Sequence, residues 1–342
     1  MLKTENKKTV DVRAFVADYL GLFFALVVLL IIFGLSAKNF FTLTTFRTIA
    51  NQIPDITIVA VGMTFVLIIA GIDLSVGSVL ALAGSVLGIF LVEFGLSLPV
   101  AILACLLVGI LCGLANGFIT IRWNLPSFIV TLGMLEIARG AAYLVTNSRT
   151  IYIGGPLEII TGTSIFGLSL PFIFAVLIVV IGQLVLSRTV FGRQMIAIGT
   201  NEEAVRMSGI DPRPIKLLVF VLCSFLTSIA AVIQTARMSS ASPNAGSGLE
   251  LQAIAAVVIG GTSLMGGRGS VISSFFGVLI IAVLGTGLAQ IGAQESTKRL
   301  ITGCVIIAAV IIDQYRHRIR KSNKHVVYCS PLRNRPKQGS IS

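Results

Sequence analysis

Long apolar runs, separated by short polar or glycine-rich stretches, fill most of the chain. A helix needs about 20 predominantly apolar residues to cross a bilayer, and the charge-free intervals are of this order. The pattern predicts an all-α, polytopic membrane protein with about ten transmembrane elements, some of them broken or re-entrant. The predicted elements are 19–37, 54–70, 75–94, 97–121, 126–146, 169–187, 215–236, 251–265, 270–289 and 297–313.

The composition agrees with this pattern. Of the 342 residues, 55% are hydrophobic and only 12% are charged, and the mean hydropathy is +0.97. A soluble domain carries about 25% charged residues, and a disordered chain combines low hydrophobicity with high charge. The composition therefore excludes disorder and argues against a soluble enzyme, because so much apolar surface cannot be hidden in one core.

Positive charge gives the expected orientation. The net charge is +12, and eight basic residues lie between Arg316 and Lys337. Lysine and arginine favour the cytoplasmic side of a membrane, so we expect both termini and the arginine-bearing loop 188–214 to be cytoplasmic. We divide the chain into an N-terminal segment 1–18, a membrane domain 19–313 and a basic tail 314–342. A basic tail could bind nucleic acid or lie near anionic lipid headgroups. We favour the lipid, because nothing else in the chain resembles a nucleic-acid-binding module.

The sequence lacks the residue patterns that several kinds of functional site require. The five cysteines form no C-x-x-C pair, and both histidines, His317 and His325, lie in the tail. We expect no metal site and no catalytic site in the membrane domain. The sequence has no G-x-x-x-x-G-K-[S/T] loop and no Ser/His/Asp set, so we expect no ATP site of that kind and no hydrolase site.

Two small features predict contacts between and along helices. Gly109, Gly113 and Gly117 repeat at intervals of four, which is typical of closely packed membrane helices. Glu136 and Arg139 are three residues apart on one predicted helix, and we expect them to form an ion pair.

Asp73 is the most unusual charge, because it separates two long apolar runs. An ionised carboxylate at that depth must be paired, hydrated or part of a helix break. Two roles remain open: Asp73 caps the following helix and holds a re-entrant turn, or it lies in a cavity or at a break that faces the cytoplasm. The segment 70–79 resembles 260–271, about 190 residues later, which suggests duplicated halves with broken helices near a substrate path. Our candidates for that path are Gly71, Asp73, Ser75, Gly77, Gly261 and Ser263.

The segment 199–210 predicts a short amphipathic helix. Asn201 is a suitable N-cap, Glu202 and Glu203 follow in the first turn, and Gly209 is a suitable stop. A helix this short is not stable alone, so it must dock on this protein or on a partner.

Longer motifs resemble a known family. The stretches that carry the resemblance are 60–64, 71–78, 116–117, 125–133, 139–140, 199–209 and 250–263. In this order, and over roughly 40–313, they resemble the permease subunit of bacterial ABC importers for monosaccharides, the ribose-type branch. Related branches carry xylose, arabinose, galactosides or autoinducer-2.

The resemblance implies a permease in the bacterial inner membrane that works by alternating access. It implies a second permease chain, identical or paired, a cytoplasmic ATP-binding subunit and a periplasmic sugar-binding protein. This chain would bind no cofactor, because ATP is held by the partner subunit. The resemblance assigns the coupling to the ATPase to Asn201, Glu202, Glu203, Ala204, Arg206, Ser208, Gly209 and Ile210.

Other functions remain as alternatives. An ion-coupled secondary sugar transporter would work as a single chain, but the coupling segment and the few buried acids argue against it. An intramembrane enzyme is disfavoured by the missing histidine and nucleophile sets.

Overall fold

A computed structural model describes residues 12–162, 164–165, 167–294, 296–298, 300–305, 307–308 and 311. These residues are predominantly helical. The basic tail 314–342 and residues 1–11 of the N-terminal segment lie outside the described ranges. The first helix begins at Val12, so it extends into the segment that we expected to precede the membrane domain.

The helices follow one another with short connections. They are α1 Val12–Ser36, α2 Leu43–Gln52, α3 Pro54–Ile68, α4 Val76–Val92, α5 Leu98–Arg122, α6 Ser127–Val145, α7 Glu158–Gly162, α8 Leu170–Arg188, α9 Val190–Thr200, α10 Glu202–Met207, α11 Arg213–Met238, α12 Leu249–Ile259 and α13 Val271–Gln290. A 3-10 turn covers Gly155–Leu157.

Strands are confined to two small antiparallel pairs in the described ranges. Strand β1 (Ile151–Tyr152) pairs with β4 (Ser240–Ala241), and β2 (Ser164–Ile165) pairs with β3 (Leu168–Ser169). Ile151 lies opposite Ala241. The first pair ties the segment after α6 to the segment after α11.

Five helices in the described ranges are long and apolar enough to cross a membrane: α5, α6, α8, α11 and α13. The pair α2 and α3, bent by 47° at Ile53, makes a sixth span if it crosses as one. Proline at position 54 lacks the N–H that would continue α2, which explains the bend. The apolar helices Leu20–Ser36, α4 and α12 are shorter.

Helices occupy the positions of the predicted elements from 19–37 to 270–289, whereas 297–313 lies partly outside the described residues. The predicted element 251–265 is too long. Helix α12 ends at Ile259, because Gly260 and Gly261 follow and Gly261 takes a φ of +86°. The number of crossings and the relation between two halves stay predictions.

Helix α3 lies at the centre of the bundle. Every residue from Pro54 to Ile68 is buried, and α3 packs against α8, α11, α12 and α13. This burial follows from its sequence, which is apolar on all sides. At its N-terminal end, the buried carboxylate of Asp55 accepts a hydrogen bond from Arg237 of α11 at 2.6 Å. The two central helices are thus joined by packing and by an ion pair.

The glycine ridge of α5 packs against α11, as the spacing predicted. A Cβ at Gly113 would lie 2.7 Å from the carbonyl oxygen of Phe220 and from Cα of Val221. Gly109 and Gly117 meet α11 in the same way, at Ser224 and Leu217. The two helix backbones therefore approach more closely than any larger residue would allow.

We expect Gly113→Ala to lower the stability of the protein, because its methyl group overlaps the backbone of α11. The matched control is Gly285→Ala in α13, where an added Cβ meets nothing within 4 Å. Thermal unfolding in detergent, followed by size-exclusion chromatography, compares the two variants. Equal midpoints for both would contradict the close approach of α5 and α11.

Candidate functional site

The first helix break, Ile69–Ser75, joins α3 to α4 and is held by side chains of α6. The N–H of Ile72 donates to Ser127 Oγ at 2.9 Å, and the N–H of Leu74 donates to Thr131 Oγ1 at 3.1 Å. Backbone groups inside a membrane have to find partners within the protein. Two hydroxyls one helical turn apart on α6 therefore replace the hydrogen bonds that a continuous helix would make.

Asp73 lies inside this break and is completely buried. Its Oδ1 accepts hydrogen bonds from the N–H of Ser75 at 2.9 Å and from the Ser75 hydroxyl at 2.6 Å. The amide of Asn116 in α5 donates to the same hydroxyl oxygen at 3.0 Å. The N-cap position of α4 is occupied by Ser75, so Asp73 does not cap this helix, which was part of one of the two roles left open. Asp73 instead closes a local turn.

The second break, Gly260–Ser270, joins α12 to α13. The N–H of Ser263 donates to the carbonyl of Arg268 at 3.0 Å, and the Ser263 hydroxyl accepts from the N–H of Met265 at 3.2 Å. Gln183 of α8 accepts from the N–H of Val271 at 2.9 Å, at the start of α13. Polar side chains from inside and outside the break again satisfy its backbone.

The two breaks contact each other. The N–H of Gly267 donates to the carbonyl of Ile68, the last residue of α3, at 2.8 Å. Gly266 packs so closely on Ala70 that a Cβ there would lie 2.7 Å from the Ala70 Cβ. The turn in the second break therefore supplies a hydrogen-bond donor to the C-terminal end of α3, the helix that precedes the first break.

The end of α9 reaches the same place. A Cβ at Gly199 would overlap the carbonyl oxygen of Ile68, and the carbonyl oxygen of Gly199 lies beside Gly266. Gly267 also lies against Thr200, where a Cβ would be 3.0 Å from the Thr200 Cα. Asn201, the first residue of the predicted coupling segment, follows directly. The sequence alone does not predict this junction, because a glycine at position 199 is also consistent with the start of an amphipathic helix.

The short helix predicted at 199–210 is present as α10. Asn201 Oδ1 accepts a hydrogen bond from the N–H of Ala204 at 3.0 Å, and Gly209 takes a φ of +84°. Val205 is buried, and Glu202 pairs with Lys216 of α11 at 2.9 Å. The helix thus docks on its own chain through one edge.

The rest of α10 is exposed. Glu203, Ala204, Arg206 and Ser208 are all accessible, and Met207 is 85% exposed. Met207 was not among the residues predicted for this surface. A cavity of about 300 Å³ lies beside the helix. Its lining residues are Arg206, Gly209, Ile210, Asp211 and Arg213.

The predicted ion pair between Glu136 and Arg139 does not form. Arg139 Nη1 donates instead to the carbonyls of Pro243 at 2.6 Å and Ala245 at 2.8 Å. The non-helical segment between β4 and α12 offers these two carbonyls, and a guanidinium with several donors can satisfy both. The next turn of α6 makes a similar contact, because the Tyr143 hydroxyl donates to Asn244 Oδ1 at 2.5 Å.

The six candidates for the substrate path fall into two settings. Gly71, Asp73, Ser75, Gly77 and Ser263 are buried, whereas Gly261 is exposed. Gly77, at the start of α4, packs on Gly246, which leaves no room for a side chain between them. Within the described ranges, no cluster of three or more His, Cys, Asp or Glu side chains is arranged to hold a metal ion.

Comparison with known proteins gives a family and several curated relatives. Residues 45–310 match the family described as branched-chain amino acid transport system / permease component. The ribose import permease protein of Escherichia coli K12 is 38% identical over 303 residues, which are 84% of this chain and 91% of that protein. The ribose import permease protein of Haemophilus influenzae is 39% identical over 298 residues, 86% of this chain and 92% of the relative.

A fructose import permease protein of Rhizobium meliloti is 34% identical over 308 residues, 86% of this chain and 84% of the relative. No solved structure gives a significant match.

We expect Thr131→Val to destabilise the first break, because it leaves the partly buried N–H of Leu74 without its partner at nearly unchanged side-chain volume. An unsatisfied buried donor costs about 1–3 kcal/mol. The matched control is Thr48→Val, since Thr48 is exposed and bonds only within its own helix. Thermal unfolding in detergent measures both. A Thr131→Val midpoint as high as that of the control would contradict this support for the break.

Proposed function

The chain belongs to the family of branched-chain amino acid transport system permease components, and on that premise we propose that it is the membrane-spanning subunit of an ATP-driven ABC importer for a ribose-like monosaccharide. The sugar is supported by the curated relatives, which are ribose and fructose import permeases that align over most of both chains. Ribose is favoured over fructose because the sequence identity to this chain is 38% and 39% for these two ribose permeases and 34% for the fructose permease.

One observation carries the importer mechanism. Helix α10 exposes most of its side chains, while Gly199, just before it, lies in contact with the ends of both helix breaks. A short exposed helix of this kind can bind a partner subunit. A displacement of the helix by that partner would move Gly199 and, through it, the ends of the membrane helices. An ion-coupled transporter needs no such surface.

The proposed partner at α10 is a cytoplasmic ATP-binding subunit. Asn201, Glu202, Glu203, Ala204, Arg206, Ser208, Gly209 and Ile210 form the coupling surface, and we add the exposed Met207 to it. The partner holds ATP and hydrolyses it. This chain supplies the path and no cofactor site, and a periplasmic sugar-binding protein delivers the sugar from the opposite side.

The proposed docking of the ATP-binding subunit on α10 and the distribution of Lys and Arg support the proposed topology. The loop 188–214 faces the cytoplasm, as do both termini, so the segment 1–18 and the tail 314–342 lie on that side. The basic tail lies near anionic lipid headgroups. The membrane domain 19–313 pairs with a second permease chain, identical or related, to complete the path.

Transport then follows from a shift between two conformations. ATP binding favours the closed ATPase pair, which displaces α10 and biases the path toward one side of the membrane. Hydrolysis restores the other conformation. The residues of the path and its broken helices remain those predicted from the sequence. Gly71, Asp73 and Ser75 lie in the first break, Gly77 lies at the start of α4, and Gly261 and Ser263 lie in the second break. Asp73 acts in the first break by holding the turn at Ser75.

Reconstitution tests this function. The chain is purified with its ATP-binding subunit, placed in liposomes, and supplied with ribose and the cognate binding protein. We expect ribose uptake that requires ATP and the binding protein and that survives an ionophore. Uptake by this chain alone that ignores ATP and stops with the ionophore would support the ion-coupled transporter instead.

We expect Glu203→Lys and Gly209→Pro to uncouple transport without preventing membrane insertion. Both residues are exposed, and proline at position 209 cannot adopt the φ of +84°. The matched control is Glu93→Lys, a charge reversal at an exposed glutamate at the end of α4. Co-purification of the ATP-binding subunit and ribose uptake are measured. Wild-type values for both coupling variants would reject α10 as the docking site.

A further inference from the structure

Helix α6 carries an exposed carboxylate in the middle of a membrane span. Glu136 lies midway along Ser127–Val145, one of the helices long and apolar enough to cross a membrane. Its side chain is exposed in the single chain. A charged group at the centre of a bilayer is costly, so such residues face a partner or a water-filled cavity and not lipid.

The chain does not neutralise this carboxylate by a direct ion pair among its described residues. Arg139 is the nearest candidate in sequence, but its guanidinium donates to the carbonyls of Pro243 and Ala245. Arg139 still interacts electrostatically with Glu136 and with Glu250 at the start of α12. The arginine therefore interacts with two acids at a distance while its hydrogen bonds hold the neighbouring segment in place.

Open space flanks Glu136 along its helix. Gly133 and Gly140 lie three residues before and four after it, on the same face of α6. A Cβ at either glycine would meet nothing within 4 Å. Within the part of the chain that the structure describes, these glycines therefore have no close packing partner, unlike those of α5, and open space lies on each side of the carboxylate.

Polar groups continue from Glu136 across to the adjoining segment. The Tyr143 hydroxyl bonds to the exposed Asn244, and Ser247 nearby is exposed as well. We call Glu136, Arg139, Tyr143, Asn244 and Ser247 the α6 polar strip. The opposite edge of the exposed face is apolar, with Ile137 at 66% and Leu144 at 80% exposed, as suits contact with lipid.

We propose that the α6 polar strip is a wall of the sugar path and that Glu136 accepts hydrogen bonds from hydroxyl groups of the passing sugar. This inference rests on the proposed function. A sugar offers neighbouring hydroxyl donors, and a carboxylate with two oxygens can accept from two of them. A second permease chain packed directly over Glu136 would bury its charge, which is strongly unfavourable without a paired cation.

Accessibility in the assembled importer tests the location of Glu136. Glu136→Cys and the control Ile137→Cys are treated with a membrane-impermeant thiol reagent, and the unsubstituted chain sets the background from its own cysteines. We expect rapid labelling of Glu136→Cys, slower labelling in the presence of ribose, and no labelling of Ile137→Cys above background. Protection of Glu136→Cys from the reagent in every nucleotide state would place the face in a packed interface and overturn the proposal.

Transport tests the role of the carboxylate. We expect Glu136→Leu to lower ribose uptake by about tenfold or more, the effect of losing one hydrogen bond to a charged group. Glu136→Gln, which keeps an acceptor oxygen, should lose less, and both variants should co-purify with the ATP-binding subunit. Unchanged uptake in both variants would overturn the proposal.

The same assay separates this inference from the proposed function. If the unsubstituted importer takes up ribose with ATP while both Glu136 variants match it, only the role of Glu136 fails. If the unsubstituted importer takes up no ribose under these conditions, the proposed function itself fails.

Discussion

Hydrocarbon offers no hydrogen-bond partners, so each place where a membrane helix breaks must be satisfied from within the protein. Residues between α3 and α4 obtain their partners from Ser127 and Thr131 of α6. The break between α12 and α13 obtains one from Gln183 of α8 and gives one to Ile68. The breaks are therefore parts of one hydrogen-bonded unit that several helices share, and a movement of one helix changes the geometry of the others.

This unit also touches the end of α9, through Gly199. Only glycine fits at that contact, because any side chain would displace the carbonyl of Ile68. Helix α10 follows immediately and presents its exposed side chains away from the bundle. In the proposed importer, a partner bound there acts at a short distance on both breaks. In this way a protein with no nucleotide loop of its own can be driven by a subunit that has one.

The sequence predicted most helices, since a membrane helix has to be apolar over its full length. It also predicted α10 with Asn201 as its cap, because capping is a local property. The partners of Arg139 were not predictable. Pro243 and Ala245 lie more than 100 residues away, and no sequence pattern marks their backbone carbonyls as acceptors. The contact of Gly199 with Ile68 and Gly267 was missed for the same reason. Long-range backbone contacts depend on how helices are placed, and hydropathy does not encode that placement.

The most direct test of this transmission is the amount of ribose moved per ATP hydrolysed by the reconstituted importer carrying Gly199→Ala, compared with Gly285→Ala. Both variants are measured in complexes that retain the ATP-binding subunit at the unsubstituted stoichiometry. If the base of α10 transmits movement to the breaks, Gly199→Ala hydrolyses ATP but transports little ribose, while Gly285→Ala transports normally. A ratio for Gly199→Ala equal to that of Gly285→Ala would contradict the coupling of α10 to the helix breaks.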